Sequence, residues 1–314
     1  MPKKIVTVTL LLVVLAAVPM TGCTPVPLPS PTEAVPAEAH HQARELLSRY
    51  GWTTTDRWAT HWVTLPQRFE HRPGEFPIPI YWAYNNELSK AIGLDLSPYL
   101  GQRVEATVYD LEEELPEFLR PYTKARAVVV THMGKTIGAW IDKGRHYAFA
   151  CSLDRKPLEE ITGMDWSEWL VASGVVNLNN EIERELAALT PEEIIARYYE
   201  ALNDHDEERA YACLTRRSLT DFLFSNMGDL ALYHADYNAD PCRQKVRSVR
   251  VNRIELLPVV GNPEGVVEYK VDIDVKYEPG GVFVEYSGPH VRFILLKEEI
   301  AGTGWRIIGI GTGP

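Results

Sequence analysis

The sequence lacks an apolar run long enough to cross a membrane as a helix. Its longest uncharged apolar stretch, Ile5–Val18, has 14 residues and contains Thr7 and Thr9, whereas a spanning helix needs about 20. No second stretch of this kind follows, so the pattern argues against a chain that crosses the bilayer. Because Lys3 and Lys4 precede the stretch, the pattern is typical of a secretory signal peptide.

Basic side chains are also few. The chain has 32 lysines and arginines against 43 aspartates and glutamates, which gives a net charge of −11 at neutral pH. An acidic surface repels nucleic acid and has no electrostatic attraction to anionic lipid headgroups. We therefore expect no nucleic-acid partner, and we expect any attachment to a membrane to come from a covalent lipid.

Cysteine is scarce, with 4 in the chain: Cys23, Cys151, Cys213 and Cys242. No two have the Cys-x-x-Cys spacing of zinc sites and dithiol redox motifs. A disulfide between Cys213 and Cys242 would close a loop of about thirty residues and contribute roughly 3 to 4 kcal/mol. The alternative is that the three cysteines after Cys23 stay unpaired, with two of them packed as small apolar side chains.

Motifs that carry catalysis or hold a cofactor are absent. Gly134-Lys135-Thr136 is similar to the end of a phosphate-binding loop, but Val129 stands where that loop needs glycine. There is no nucleophile elbow and no His-Glu-x-x-His helix. We therefore expect no metal and no cofactor, and we assign no catalytic residue.

What the chain does have at its start is a cysteine placed directly after the signal-like segment. Met20-Thr21-Gly22-Cys23 resembles the lipobox of bacterial lipoproteins, with Met20 where that pattern usually has leucine. The resemblance implies that residues 1–22 are removed and that Cys23 is acylated by palmitate-like chains. It places the protein at the extracytoplasmic face of the cell membrane. The alternative is an ordinary secretory signal followed by a coincidental cysteine.

Residues 23–38 have the composition of a spacer. Prolines occur here at positions 25, 27, 29, 31 and 36, and proline fixes φ and removes a hydrogen-bond donor. The segment is therefore predicted to be extended polyproline-type chain. At ~3.1 Å per residue it would hold a folded body roughly 40 Å from the bilayer.

Residues 39–173 are predicted to form a first α+β domain. Helical spacing precedes Gly51, three strands are predicted over residues 103–109, 125–132 and 136–142, and a helix is predicted over residues 158–171. The segment also contains the short motifs Tyr50-Gly51-Trp52, Tyr84-Asn85, Gly93-Leu94-Asp95-Leu96, Pro98-Tyr99, Gly101 and Ile137-Gly138. In these motifs the segment resembles a family of unknown function found in lipoproteins of spore-forming Gram-positive bacteria. That resemblance implies an architecture and no mechanism.

Residues 174–189 are predicted as a linker, and residues 190–314 as a second α+β domain. Thr190 and Pro191 predict the start of a helix, and four strands follow the helical region. The order of elements, together with LTPEEIIARYYEALNDHDEERAYACL and the terminal GWRIIGIGTGP, resembles the nuclear transport factor 2-like superfamily. The resemblance implies a cone with a curved antiparallel sheet and a pocket.

The regular alternation in Val267–Tyr277 predicts a half-buried antiparallel strand whose apolar face lines this cone. Phe293 or its neighbours are expected to extend the same wall. Candidate ligand-binding residues are aromatic or histidine side chains on or near it: Tyr198, His234, Tyr237, Tyr269 and Trp305. The alternative is that Tyr198, Tyr269 and Trp305 simply fill the cone as core.

These features predict a lipid-anchored extracytoplasmic protein that works by binding or assembly. The expected partners are the membrane, through the anchor on Cys23, and a small apolar ligand, a peptide or an envelope protein. Two alternatives stay open: an enzyme, either a hydrolase or an isomerase, that uses the cone, and a structural spacer in envelope or spore assembly.

Overall fold

In the computed structural model, the described residues are 37–72, 75, 78–144, 147–227, 245–258, 263–279 and 285–313. All of them belong to one compact unit. The chain is a mixed helix-and-sheet protein with two antiparallel four-stranded sheets. In this part of the chain, no helix has both the length and the apolar composition needed to cross a bilayer.

The helices and strands alternate in blocks along the chain. The helices are α1 (Ala37–Arg49), α2 (Pro79–Lys90), α3 (Leu158–Thr162), α4 (Trp166–Ala172), α5 (Glu181–Ala187), α6 (Pro191–Asn203), α7 (Glu207–Ala212) and α8 (Arg216–Met227). The first sheet contains β1 (Thr54–Thr64), β2 (Arg103–Glu114), β3 (Lys124–His132) and β4 (Lys135–Asp142). The second contains β5 (Val246–Leu256), β6 (Val267–Tyr277), β7 (Gly288–Glu298) and β8 (Trp305–Gly311). In both sheets, strands that follow each other in sequence are neighbours.

Strands β2, β3 and β4 of the first sheet are covered on both faces over most of their length. Residues 127–130 of β3 are four consecutive buried apolar residues, the pattern of a strand covered on both sides. One face packs against α2, where the Ser89 hydroxyl donates to the Ala139 carbonyl (3.3 Å) and accepts from the Ala139 amide (3.1 Å). The other face packs against α1, and Leu47 and Trp52 are buried in that layer.

The second sheet packs against α6, which begins where the sequence predicts. The Thr190 hydroxyl accepts from the Glu193 amide (3.3 Å), and the Glu193 carboxylate accepts from the Thr190 amide (2.8 Å). Pro191 occupies the first helical turn. The alternation predicted for β6 is confirmed, because every second residue from Tyr269 to Val275 is buried. The apolar face of the strand packs in one cluster with α6.

The helix predicted over residues 158–171 is in fact two helices. Gly163 follows α3 with φ of 71°, a left-handed conformation that favours glycine and ends the helix. Asp165 then starts α4 with a capping box formed with Glu168. Two local signals, one for a stop and one for a start, override the continuous helical periodicity.

The segment predicted as a linker, residues 174–189, contains α5. The Asn180 side chain caps this helix by accepting from the Ile182 amide at 2.9 Å. Glu183 and Leu186 of α5 are buried. The segment is therefore part of the packed body.

The two sheets are joined by a shared apolar core. Leu219, Leu223 and Phe224 of α8 belong to the same buried cluster as α2 and the first sheet. The Phe224 ring stacks on the Tyr81 ring, with centroids 4.5 Å apart. A helix from the second half of the chain therefore completes the core of the first half.

A buried network of charges lies at the same junction. The Glu299 carboxylate accepts from the Arg216 amide at the start of α8 (2.8 Å) and from the Trp166 indole of α4 (3.1 Å). Glu183 forms ion pairs with Arg216 and with Arg306, the latter at 2.9 Å. Two carboxylates and two guanidinium groups thus neutralise each other where α4, α5, α8 and β8 meet.

Candidate functional site

A cleft of about 530 Å³ opens beside the second sheet. Such a volume lies within the range of ~300 to 1,000 Å³ that is usual for ligand sites. The lining includes the polar side chains of Asn252, Asp272, Glu285, Tyr286, His290 and Arg292. These residues come from β5, β6, β7 and the segment just before β7.

The strand register brings these residues to neighbouring positions along the sheet, on both of its faces. Val251 pairs with Ile273, and Arg253 pairs with Asp272, so Asn252 between them is the extra residue of a β-bulge. A bulge redirects the side chain that it carries. On the other side of β6, Asp272 pairs with Val291. Val271 pairs with Arg292, so the Arg292 side chain leaves the face of the sheet opposite to that of Asp272. The cleft is therefore lined by residues from both faces of the sheet.

An ion pair between a buried arginine and a partly exposed glutamate contributes to the lining of the cleft. Arg292 is 9% exposed, and its guanidinium pairs with the Glu285 carboxylate. The Tyr277 hydroxyl also donates to Glu285 (2.7 Å). Burial, together with this hydrogen bond, raises the pKa of Tyr277 to about 12. At neutral pH the tyrosine is therefore a hydrogen-bond donor to the carboxylate.

Next to this ion pair along the chain, the lining carries two aromatic side chains. The Tyr286 and His290 rings lie 4.7 Å apart, and the His290 Nε2 atom is 2.7 Å from the Tyr286 carbonyl oxygen. Tyr286 is 70% exposed. Neither this ring pair nor any other group in the described ranges supplies the three or more metal-ligating side chains that an ion site needs.

The candidate residues from the sequence lie mostly in the core between α6 and the sheet. Tyr269 is 4% exposed, and its hydroxyl donates to the Glu192 carboxylate of α6 (2.8 Å). Tyr198 and Trp305 are partly buried against the same cluster. These three are not among the residues that line the cleft, so their contact with a ligand stays a prediction. Phe293 pairs with Lys270, on the face of the sheet opposite to Val271.

Other residues singled out in the sequence fall outside the described part of the chain, namely Cys23, His234, Tyr237 and Cys242. Cys213, by contrast, is described, and it is a buried free thiol. Its side chain packs among apolar residues of the α6 cluster, and the bridge to Cys242 stays a prediction, because Cys242 lies outside the described residues. Burial raises the pKa of the Cys213 thiol to about 12, which leaves it protonated.

Sequence reasoning missed the cleft residues, although β7 carries a signal of them. Residues 292, 294 and 296 are the buried positions of this strand, and the first of them is an arginine. A charged residue in phase with buried apolar positions needs a partner. The partner, Glu285, lies in the segment before β7, which carries no pattern of its own.

Comparisons with known proteins describe this chain as two domains of unknown function. Residues 46–141 match the domain of unknown function DUF4830, and residues 192–311 match DUF4829. The segment with α3, α4 and α5 lies between the two matched regions. No curated protein is similar enough to count as a match.

Among solved structures, a cystatin-like protein from Ruminococcus gnavus has 11% sequence identity to the chain and a TM-score of 0.25. The alignment covers 79% of this chain and 64% of that protein.

Proposed function

We propose that the chain is a lipid-anchored, extracytoplasmic binding protein that holds a polar ligand in the cleft of its second sheet. The observation that carries this proposal is the buried Arg292, paired with the partly exposed Glu285, in a cleft of ligand size. A buried charge is costly to keep, and when it lies in a cleft it often marks a functional site.

Attachment to the membrane rests on the first 38 residues. The short apolar run, the small-residue cleavage site and Cys23 together have the form of a lipoprotein signal. Two acyl chains on Cys23 suffice for stable anchoring, where one chain is marginal. The proline-rich segment then sets the distance between the bilayer and the folded body.

For the second half we propose a nuclear transport factor 2-like cone. Its helices α6, α7 and α8 precede the four antiparallel strands β5 to β8, which is an α+β order. Register shifts interrupt the pairing of β5 with β6 and of β7 with β8. Shifts of this kind bend strands and support a curved sheet.

Binding is favoured over catalysis by the way in which the charges of the cleft are engaged. The Glu285 carboxylate already faces the Arg292 guanidinium and the Tyr277 hydroxyl. A general base needs a carboxylate or imidazole that is available to accept a proton from the substrate. The enzyme alternative would therefore require a base other than Glu285.

The experiment is a calorimetric titration of the full chain in detergent with three probes: N,N′-diacetylchitobiose, tri-alanine and indole. We expect at least one probe to bind, and Asn252→Ala to weaken that binding by about fivefold through loss of a hydrogen bond. Asn179→Ala is the matched control, because Asn179 is exposed and does not line this cleft.

If none of the probes binds, the binding proposal fails and the spacer alternative is favoured. Binding that Asn252→Ala leaves unchanged would also contradict the proposal, because the site would then lie outside the cleft.

A further inference from the structure

We infer that the cleft recognises a neutral saccharide, an inference that rests on the binding function proposed above. It follows from four properties of the described lining: the balance of charge, the geometry of the polar side chains, an exposed aromatic ring, and the unsuitability of the adjacent strand edge for a peptide.

The charge of the lining disfavours a strongly charged ligand. It contains two carboxylates, Asp272 and Glu285, and one guanidinium, Arg292. Arg292 is paired with Glu285 and is largely shielded from solvent. An anion would meet an excess of negative charge. Glu285 is engaged by Arg292, so only the single charge of Asp272 is left to attract a cation. A neutral ligand needs no counter-charge in the lining.

The polar side chains suit a ligand rich in hydroxyl groups. The Asn252 amide offers two donor hydrogens and an acceptor oxygen, and the Asp272 carboxylate offers two acceptor oxygens. Each hydroxyl of a sugar donates one hydrogen bond and accepts others, so two neighbouring hydroxyls match such forked groups. Thr312 adds a further hydroxyl to the lining.

Tyr286 supplies the flat apolar surface that a sugar ring requires. Its side chain is 70% exposed and lines the cleft, and its ring is supported by His290 with centroids 4.7 Å apart. The C–H face of a pyranose packs well on such a ring, while its hydroxyls point to the polar side chains. An exposed tyrosine beside forked polar groups is therefore an arrangement suited to a saccharide.

The edge of β7 beside the cleft is poorly suited to an added peptide strand. Pairing of β7 with β8 begins at Phe293 and Gly311, so Pro289 and Val291 precede the paired region. Pro289 has no amide hydrogen, and the Val291 carbonyl already accepts from the Arg292 guanidinium (3.1 Å). An added strand pairs with free main-chain amide and carbonyl groups. A peptide would find few free groups of this kind at this edge.

The test is titration of the full chain in detergent with N,N′-diacetylchitobiose and, separately, with tri-alanine. We expect the saccharide to bind and tri-alanine not to bind. Tyr286→Ala should weaken saccharide binding by about threefold to tenfold, whereas Tyr286→Trp should retain it, because the ring is what contacts the sugar. Phe118→Ala, which removes a 51% exposed aromatic ring outside the cleft, should leave the affinity unchanged.

The outcomes separate this inference from the proposed function. Binding of tri-alanine but not of the saccharide, with sensitivity to Asn252→Ala, would overturn the saccharide inference and keep a binding protein. Saccharide binding that is equal in wild type and Tyr286→Ala would also overturn it. Absence of binding by either probe or by indole would overturn both proposals.

Discussion

At the scale of single residues, the junction between the two sheets has an unusual imidazole. His71 is 9% exposed, and its amide donates to the Val175 carbonyl (2.7 Å). Burial, strengthened by the nearby Arg216 guanidinium, lowers the pKa of His71 from 6.5 to about 3, although Glu183 acts in the opposite direction. The imidazole is therefore neutral in the folded protein across the physiological pH range.

This shift predicts a loss of stability in acid. Between about pH 6.5 and 3, the unfolded chain binds a proton at His71 that the folded chain does not bind. The free energy of unfolding should therefore fall as the pH falls through this window, by up to about 1.4 kcal/mol per pH unit from this group. Urea denaturation of wild type and His71→Gln between pH 7 and pH 4 measures the difference.

His71→Gln should show a shallower dependence of the unfolding free energy on pH than wild type. The same substitution at His41, which is exposed on α1, controls for the loss of an imidazole as such. Parallel pH curves for wild type and His71→Gln would contradict the proposed neutral state.

At the scale of elements, α8 connects the two matched domains. Its sequence lies within the DUF4829 region, yet its apolar face packs in the core that contains β2, β3 and β4 of the DUF4830 region. The start of α8 is held by the Glu299 carboxylate, which lies just after β7. The start of α8 is thus bonded to a residue that follows β7, while its apolar face packs in the core of the first sheet.

We predict that truncating one ring on α8 destabilises the first sheet. Phe224→Ala removes the ring that stacks on Tyr81 and should lower the free energy of unfolding by about 3 to 5 kcal/mol. The measurement is tryptophan fluorescence during denaturation, a signal from the eight tryptophans of the chain, of which Trp82 and Trp140 are buried in the first core.

The neighbouring ring supplies the matched control. Phe222 is 46% exposed, so Phe222→Ala should change the unfolding free energy by less than about 1 kcal/mol. Equal effects of the two substitutions, or a fluorescence transition that Phe224→Ala leaves in place, would show that α8 is not part of the first core.

Local sequence signals predicted some elements well and misjudged others. The start of α6 at Thr190 and the alternation in β6 are confirmed because each depends on neighbouring residues only. The linker over residues 174–189 was misjudged because a helix as short as α5 leaves a weak periodic signal. Its stability comes from the Asn180 cap and from burial of Glu183 and Leu186.

At the scale of the whole molecule, the proposed anchor and the cleft are separate features of one chain. The anchor belongs to residues 1–38, and the cleft belongs to the second sheet. The shared core and the Glu183–Arg216–Glu299 network make the intervening body one unit. If the protein is anchored in this way, its cleft lies on a folded body whose two halves share a core and a network of ion pairs.

Anchoring is tested by detergent phase separation of the protein from its native cells. Wild type should enter the detergent phase, and Cys23→Ala should remain in the aqueous phase or keep its signal segment, because no thiol is available for acylation. Thr24→Ala, one residue further on, should behave as wild type. A wild-type protein that stays aqueous, with an unmodified amino terminus, would refute the anchor.

The sequence by itself determined the features that depend on neighbouring residues. These are the signal-like start with Cys23, the proline-rich composition of residues 23–38, the acidic charge, the helix cap at Thr190 and the buried face of β6. Each follows from composition, from the period of a helix or strand, or from a cap, and none requires knowledge of a distant contact.

Only the tertiary structure decided what each buried face packs against. Periodicity shows that α8 has an apolar side, but not that this side completes the first core. The alternation in β7 places Arg292 inward, but only the fold brings Glu285, Asn252 and Asp272 to the same cleft. The physical reason is that pairing and packing join residues far apart in sequence, and a local pattern records burial without naming the partner.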